Sequence, residues 1–395
     1  MPRRLLRALV AVGAGALLGA GCTAGPVSAG GSGTVQPGST GAVSDPAGAA
    51  ASGIPFRATA KATFDEPWAM TFLPDGRALV TQRGGQLLLV DPERGASRPV
   101  VGTPQVVVAG QGGLGDVILA PTHASDGGIY LSWVERGDGG TGAAVGRARL
   151  RTDGEPRLEG LEVIWRQTPK TSGDGHFGHR LLASPDGRQL FVTSGDRQKF
   201  DPAQDPGATL GKVLRLDLDG RPAAGNPLAD RGGVTAEIWT MGHRNPLGIA
   251  ADASGEIWVA EMGPQGGDEV NLLVPGRNYG WPKASNGSHY GGGEIPDHTP
   301  GDGFEPPKMW WNPSISPGSL MIYQGTLFPQ WRGDAFVGAL SGQALIRIDL
   351  DGREAVRGEQ WPMGARIREV EQGPDGAIWL LEDGPGGRLV KLTPA

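Results

Sequence analysis

Ser184-Pro185-Asp186-Gly187, then Gln189–Ser194, then Lys212–Leu218: this stretch decides the fold, because its plan recurs along the chain. Pro presets φ, Asp caps its own backbone and Gly accepts positive φ, so the tetrapeptide is a tight turn. The two short apolar runs after it are strands. Leu73-Pro74-Asp75-Gly76 leads likewise into Ala78–Gln82 and Gln86–Asp91, and Ser125-Asp126-Gly127-Gly128 into Ile129–Val134 and Gly146–Leu150. Asp252–Gly255 precedes Glu256–Glu261 and Glu269–Val274, and Trp331-Arg332-Gly333-Asp334 precedes Ala335–Leu340 and Ala344–Leu350. Gly373-Pro374-Asp375-Gly376 precedes Ala377–Leu381 and Arg388–Leu392. Six such units predict an all-β, six-bladed β-propeller over residues 55–395. The chain stops after a third strand of the last unit, so Phe56–Thr63 is expected to supply the missing outer strand and close the ring. The long inserts 196–210 and 281–318 are expected on one face, where a site should lie.

Composition agrees. The 68 glycines and 33 prolines among 395 residues sit mostly between apolar runs, as turns do. A net charge of −6 argues against a nucleic-acid partner, which calls for a basic face. Before the repeats, Arg3, Arg4 and Arg7 precede the apolar run Leu9–Leu18, so residues 1–22 read as an export signal. The single cysteine, Cys22, closes a stretch similar to a lipoprotein box, with Leu18 four residues upstream rather than three. A lipid anchor at Cys22 and a place in the cell envelope are the expectation; an ordinary cleaved signal is the plainer alternative. Residues 23–54, rich in Gly, Ser and Ala, read as a flexible linker.

The chemistry-bearing residues cluster in a few motifs. Gly175-His176-Phe177-Gly178 and Ser194-Gly195-Asp196 flank neighbouring strands of one blade, so His176 and Asp196 can meet at one channel mouth. A carboxylate beside an imidazole fixes its tautomer and makes a general base, although a purely structural pair has the same sequence. Arg244-Asn245 lies on a loop, and Arg366 and Arg368 share a strand face. Three guanidinium groups aimed at one pocket would suit a polycarboxylate, whereas separate surface ion pairs are the ordinary reading. The glycine-rich run Gly263-Pro264-Gln265-Gly266-Gly267-Asp268-Glu269 offers carbonyls and carboxylates of the kind calcium takes, or simply a solvated acidic turn.

Taken in order from Pro67 to Leu392, these motifs, with Gly110-Gln111-Gly112-Gly113 and Asn278-Tyr279-Gly280-Trp281-Pro282, resemble the soluble pyrroloquinoline-quinone-dependent glucose and aldose sugar dehydrogenases. The resemblance implies oxidation of an aldose at the anomeric carbon to a lactone, with pyrroloquinoline quinone and calcium as cofactors. It implies His176 as the base and Asp196 as its orienter. Gln111, Arg244, Asn245, Trp311, Arg366 and Arg368 would contact cofactor or sugar. The carbonyls of Gly263 and Pro264 would hold one calcium, and Asp268, Glu269 and Tyr279 a second, structural one. The partners it implies are a small-molecule sugar and an electron acceptor that the sequence does not name; monomer and homodimer stay open.

Two positions depart from the family pattern. Ser341 stands where a cofactor-binding lysine is expected, with Lys170 and Lys212 as chemically suitable replacements, and His179 stands where glycine follows His-Phe-Gly. Two other functions fit a propeller: a non-catalytic module that binds a glycan or a protein, and a calcium-dependent lactonase.

Overall fold

Short strands rich in Val, Leu, Ile and Trp, each stopped by a Gly-containing turn, cannot bury both faces within one small sheet. They must stack sheet on sheet. A computed structural model describes residues 53–395, so the export signal, Cys22 and nearly all of the linker lie outside the described residues. Six four-stranded antiparallel sheets stand around a central channel. Blade 1 comprises Pro67–Phe72, Ala78–Gln82, Gln86–Asp91 and Ala96–Val100, from the channel outward. Blade 2 runs Leu114–Leu119, Gly128–Gly137, Gly140–Arg151 and Arg157–Arg166. Blade 3 is Gly178–Ala183, Gln189–Ser194, Lys212–Asp217 and Ile238–Met241. Blade 4 is Pro246–Ala251, Ile257–Glu261, Asp268–Leu272 and Met309–Trp311. Blade 5 is Pro317–Ile322, Ala335–Ala339, Ala344–Asp351 and Glu354–Pro362.

Blade 6 has only three strands from the end of the chain, Ile367–Gln372, Ile378–Glu382 and Pro385–Pro394. Its fourth is Phe56–Asp65, which pairs antiparallel with the last strand from Phe56 opposite Pro394 onward, as expected from the sequence. The ring is thus closed by the two ends of the domain, and the edge of the last strand is covered.

Because side chains alternate along a strand, each blade has two apolar faces, one for each neighbour. The buried residues accordingly form one principal cluster at every blade interface. Leu190 and Val192 of blade 3 pack toward blade 2, for example, whereas Phe191 and Val213 pack toward blade 4. Trp258 and Trp379 are fully buried in such clusters.

The innermost strands share a further device. Every one of them breaks register near its start, between Pro67 and Ala69, Leu114 and Val117, Gly178 and Leu181, Pro246 and Gly248, Pro317 and Ser319, and Ile367 and Glu369. A bulge bends its strand and re-aims a side chain. Here the bulges ring the channel and bring Trp68, His179, Leu247 and Arg368 to one mouth. The Pro-Asp-Gly turns join first to second strands and so lie at the opposite end.

Candidate active site

The mouth ringed by bulges holds two adjoining cavities. One, of about 160 Å³, is lined by His176, Asp196, Gln198, Phe200, Arg244, Pro264, Trp281, His289 and Tyr290. The other, of about 410 Å³, is lined among others by Trp68, Arg83, Gln111, His179, Asn245, Arg366 and Arg368. Residues 244 and 245 are consecutive and open on different cavities, so the two are neighbours.

His176 and Asp196 meet as the sequence suggested: Nδ1 of the imidazole lies 2.7 Å from Oδ1 of the carboxylate. They meet because Gly195 has no side chain. A Cβ there would fall 2.2 Å from the carbonyl oxygen of His176. Asp196 is fixed from all sides: the Gln198 amide donates to Oδ1 at 2.8 Å and the Trp281 indole to Oδ2 at 2.7 Å. The carboxylate can only accept, so Nδ1 carries the hydrogen and Nε2 keeps its lone pair. The His176 backbone amide donates to Gln111 Oε1 at 2.7 Å. Burial holds the His176 pKa below its ordinary value; the Asp196 hydrogen bond opposes this and the nearby Arg244 charge adds to it. The ring is therefore neutral near pH 7, the form a base needs.

Backbone strain gathers here. Of eight non-glycine residues with positive φ among the described residues, Glu66, His176, His179, Gln198, Phe200 and Ser316 line the two cavities. Such conformations persist only where the surroundings enforce them. For His176 the enforcement comes from Arg197, which is buried, stacks over Phe177 at 3.8 Å and donates to the carbonyls of Gly173, Gly175 and Thr141. The inserts 196–210 and 281–318 meet at this mouth, as expected. Gln204 donates to Asn278 and to the Trp281 carbonyl, and the Phe200 and Trp281 rings are 5.6 Å apart.

The arginines are divided. Arg366 and Arg368 both pair with Asp383, at 2.8 and 2.7 Å, and keep further N–H donors for the larger cavity. Arg244 donates instead to the carbonyls of Met262 and Gly263 and faces the smaller one. Its Nε and the Asn245 Oδ1 are buried without partners among the described residues. Such groups are rarely left unpaired, so they mark a place for a polar ligand. An anionic, carbonyl-bearing planar molecule fits this donor set.

The expected calcium ligands are only partly brought together. Pro264 lines the smaller cavity, and Gly263 lines a separate, very small one with Glu269 and Tyr279, although the Gly263 carbonyl already accepts from Arg244 at 2.5 Å. Asp268 and Glu269 are adjacent in one strand and so point to opposite faces. Asp268 accepts from the amides of Gly263, Ile315 and Ser316 and from the Ser314 hydroxyl, tying two loops together. Glu269 shares Asn271 Nδ2 with Glu261, at 3.2 and 3.0 Å. Burial and then the Glu261 charge push its pKa well up. Two crowded carboxylates are what a divalent cation relieves, and His298, whose ring nitrogens make no hydrogen bond among the described residues, stands 4.0 Å from Glu269 and 3.6 Å from Asp302. The Tyr279 hydroxyl donates to the Leu272 carbonyl and accepts the Val274 amide, a structural role. Among the described residues no three His, Cys, Asp or Glu side chains form a metal-binding group.

Trp311 needs correction. It lies on the outermost strand of blade 4, in the core shared with blade 5, and lines neither cavity. An outer strand is far from the channel, so an aromatic there packs between blades. The aromatic walls of the smaller cavity are Trp281, Phe200 and Tyr290. Trp281 stood within a quoted motif, but nothing local announced its bond to Asp196. The two replacement lysines are also occupied. Lys170 pairs with Glu135 at 2.5 Å, and Lys212 Nζ is caged by the carbonyls of Pro202, Ala203 and Leu210.

A six-bladed propeller with a carboxylate-held imidazole beside an arginine-rich pocket at its channel mouth has the architecture of the quinoprotein sugar dehydrogenases. The chain belongs to the glucose/sorbosone dehydrogenase family, whose sequence profile matches residues 64–391. It is 40% identical over 338 residues to aldose sugar dehydrogenase YliI of Escherichia coli K12, covering 84% of this chain and 90% of that protein. It is 27% identical to quinoprotein glucose dehydrogenase B of Acinetobacter calcoaceticus, covering 82% and 84%. Among solved structures, the soluble aldose sugar dehydrogenase of E. coli in its apo form superposes with a TM-score of 0.82 at 39% identity, covering 86% of this chain and all of that one. The PQQ-bound aldose sugar dehydrogenase of Streptomyces coelicolor superposes at 0.72 with 26% identity, covering 86% and 98%.

Proposed function

We propose that this protein oxidises aldose sugars at the anomeric carbon to lactones, with pyrroloquinoline quinone as hydride acceptor and calcium as its Lewis acid. The observation that carries the reading is the free Nε2 of a buried, neutral, Asp196-held His176 beside a pocket of unpartnered cation and amide groups. His176 would take the anomeric hydroxyl proton at Nε2 while Asp196, held by Trp281 and Gln198, stabilises the imidazolium. The aromatic walls Phe200, Trp281 and Tyr290 would exclude water and pack on the apolar face of the sugar. Arg244, Asn245, Arg366 and Arg368 would hold the cofactor's carboxylates and carbonyls. A quinone held by these groups would supply the two-electron acceptor, and a calcium held by carbonyls such as that of Pro264 would supply a Lewis acid.

A lactonase would need carboxylate and amide side chains converging on an axial metal. The axial carboxylates Asp116 and Glu369 already surround the guanidinium of Arg180, a cation in the place such a metal would need, which favours the quinone reading over that one. A purely binding propeller would have no use for a strained, desolvated base. We place the activity outside the cytoplasm, from the leader read in residues 1–22, with electrons leaving to an envelope acceptor.

The test is reconstitution. Protein given quinone and calcium should reduce an artificial electron acceptor only when an aldose is present, and omitting either cofactor should abolish this. His176→Ala should lower the rate by about 10²–10⁴ with the fold intact. Unchanged turnover in that folded, loaded variant would refute the base.

A further inference from the structure

His179 follows His-Phe-Gly where the family resemblance leads one to expect glycine, and the structure shows how the chain makes room for it. The residue has φ 61°, in the left-handed region. Its imidazole lies flat on the Trp68 indole, with centroids 5.0 Å apart and planes 10° from parallel. A Cβ on Gly115 would fall 1.9 Å from Cε1 of this ring, so the side chain Gly115 lacks is the volume His179 fills. Ser132 fixes the tautomer. Its hydroxyl accepts the Asp116 amide at 2.8 Å and has the His179 carbonyl at 2.7 Å; donation to that carbonyl is the one placement of its hydrogen that leaves both the carbonyl and Nδ1 hydrogen-bonded. The 2.8 Å contact between Nδ1 and Ser132 Oγ must then run from Nδ1–H to oxygen. Nε2 keeps a lone pair, has no partner among the described residues, and belongs to a ring that lines the larger cavity. Burial, reinforced by the Arg180 charge, holds the ring pKa down to about 3, so it is neutral at working pH.

The other acceptors around that cavity are mostly engaged. Glu66 pairs with Arg83, Asp383 with Arg366 and Arg368, and the Gln111 oxygen with the His176 amide. The arginines only donate. Nε2 of His179 therefore stands ready for a ligand N–H or O–H.

We propose that His179 is a cofactor-binding residue of this chain, its Nε2 accepting a hydrogen bond from an N–H or O–H of the planar quinone in the arginine pocket. The proposal rests on the quinone reading above. Its test is a titration of pyrroloquinoline quinone into calcium-supplied protein freed of cofactor, followed by tryptophan emission, because Trp68 lies against the ring. His179→Gly should weaken binding by about fivefold to tenfold, the scale of one neutral hydrogen bond. The melting temperature of the cofactor-free variant should hold within a few degrees, since glycine suits this φ. The ring-sized space left behind allows rescue: added imidazole should restore affinity, and pyrrole, which has an N–H but no acceptor nitrogen, should not. Equal or tighter binding by His179→Gly overturns the proposal, as does equal rescue by both additives, which would make the ring a mere filler. A wild-type protein that binds no quinone overturns the quinone reading itself, and this inference with it.

Discussion

At the scale of single residues, the site works by denying its groups other partners. His176 has the form a base needs because Asp196 accepts the hydrogen bond from its Nδ1–H and burial keeps the ring uncharged. Its pKa is lowered in the folded protein by burial, so the midpoint of protonation, and of the loss of the base, lies below the ordinary 6.5. The pH profile of kcat/KM for the loaded enzyme should therefore be flat at neutrality and fall on an acid limb centred below that value. An acid limb above 6.5 would contradict the geometry. Ser341 makes the opposite point. Its hydroxyl bonds Ser316 Oγ at 2.8 Å, beside Leu340 and Ser316 of the larger cavity, and it brings no charge. Neither Lys170 nor Lys212 is free to compensate. A charged hydrogen bond contributes roughly 1.5–3 kcal/mol, so Ser341→Lys should lower the quinone Kd by about one to two decades. Titration of both versions decides it; equal affinities would mean that position 341 does not reach the cofactor.

At the scale of elements, the strand Phe56–Asp65 is what makes a ring of six open sheets a closed body. Phe56 packs edge-on against Trp331 and Trp361 at 6.4 and 5.3 Å, joining blade 6 to blade 5. Phe56→Ala should destabilise the domain by about 3–5 kcal/mol, the usual range for a buried phenylalanine. Removing the whole strand should also leave Pro385–Pro394 unpaired and promote self-association. Urea denaturation and light scattering measure the two effects. A variant with an unchanged midpoint would show that the closure contributes little. The bulges are the second lesson at this scale. They leave no mark in the turn repeat, since a bulge depends on which residues face each other across strands.

At the scale of the whole molecule, one side chain touches every blade. Arg180, from blade 3, donates to Leu247 O of blade 4, to Gly318 O of blade 5 and to Glu369 of blade 6. It stands 3.6 Å from Asp116 of blade 2 and 4.1 Å above the Trp68 ring of blade 1. Arg180→Met would leave Asp116 and Glu369 buried without their cation, a loss of about 3–5 kcal/mol for a broken buried pair. The melting temperature should drop by several degrees and the unfolding transition should stay cooperative. A variant as stable as the parent would show that the six blades hold by their apolar interfaces alone.

The sequence by itself determined the number of blades, the closing strand and the pairing of His176 with Asp196. All three follow from local periodicity, turn chemistry and which strands are neighbours, and such information is carried within a few tens of residues. The family resemblance put Trp311 at the cofactor, because a motif gives position along the chain but not distance from the axis. Tertiary structure alone decided that Trp281 holds Asp196, that Gly115 makes room for His179 and that Arg180 joins all six blades. Each of these contacts links different elements, in most cases different blades. Their geometry is set by how the twisted sheets pack and where each bulge turns its strand, and no periodicity in one segment encodes that.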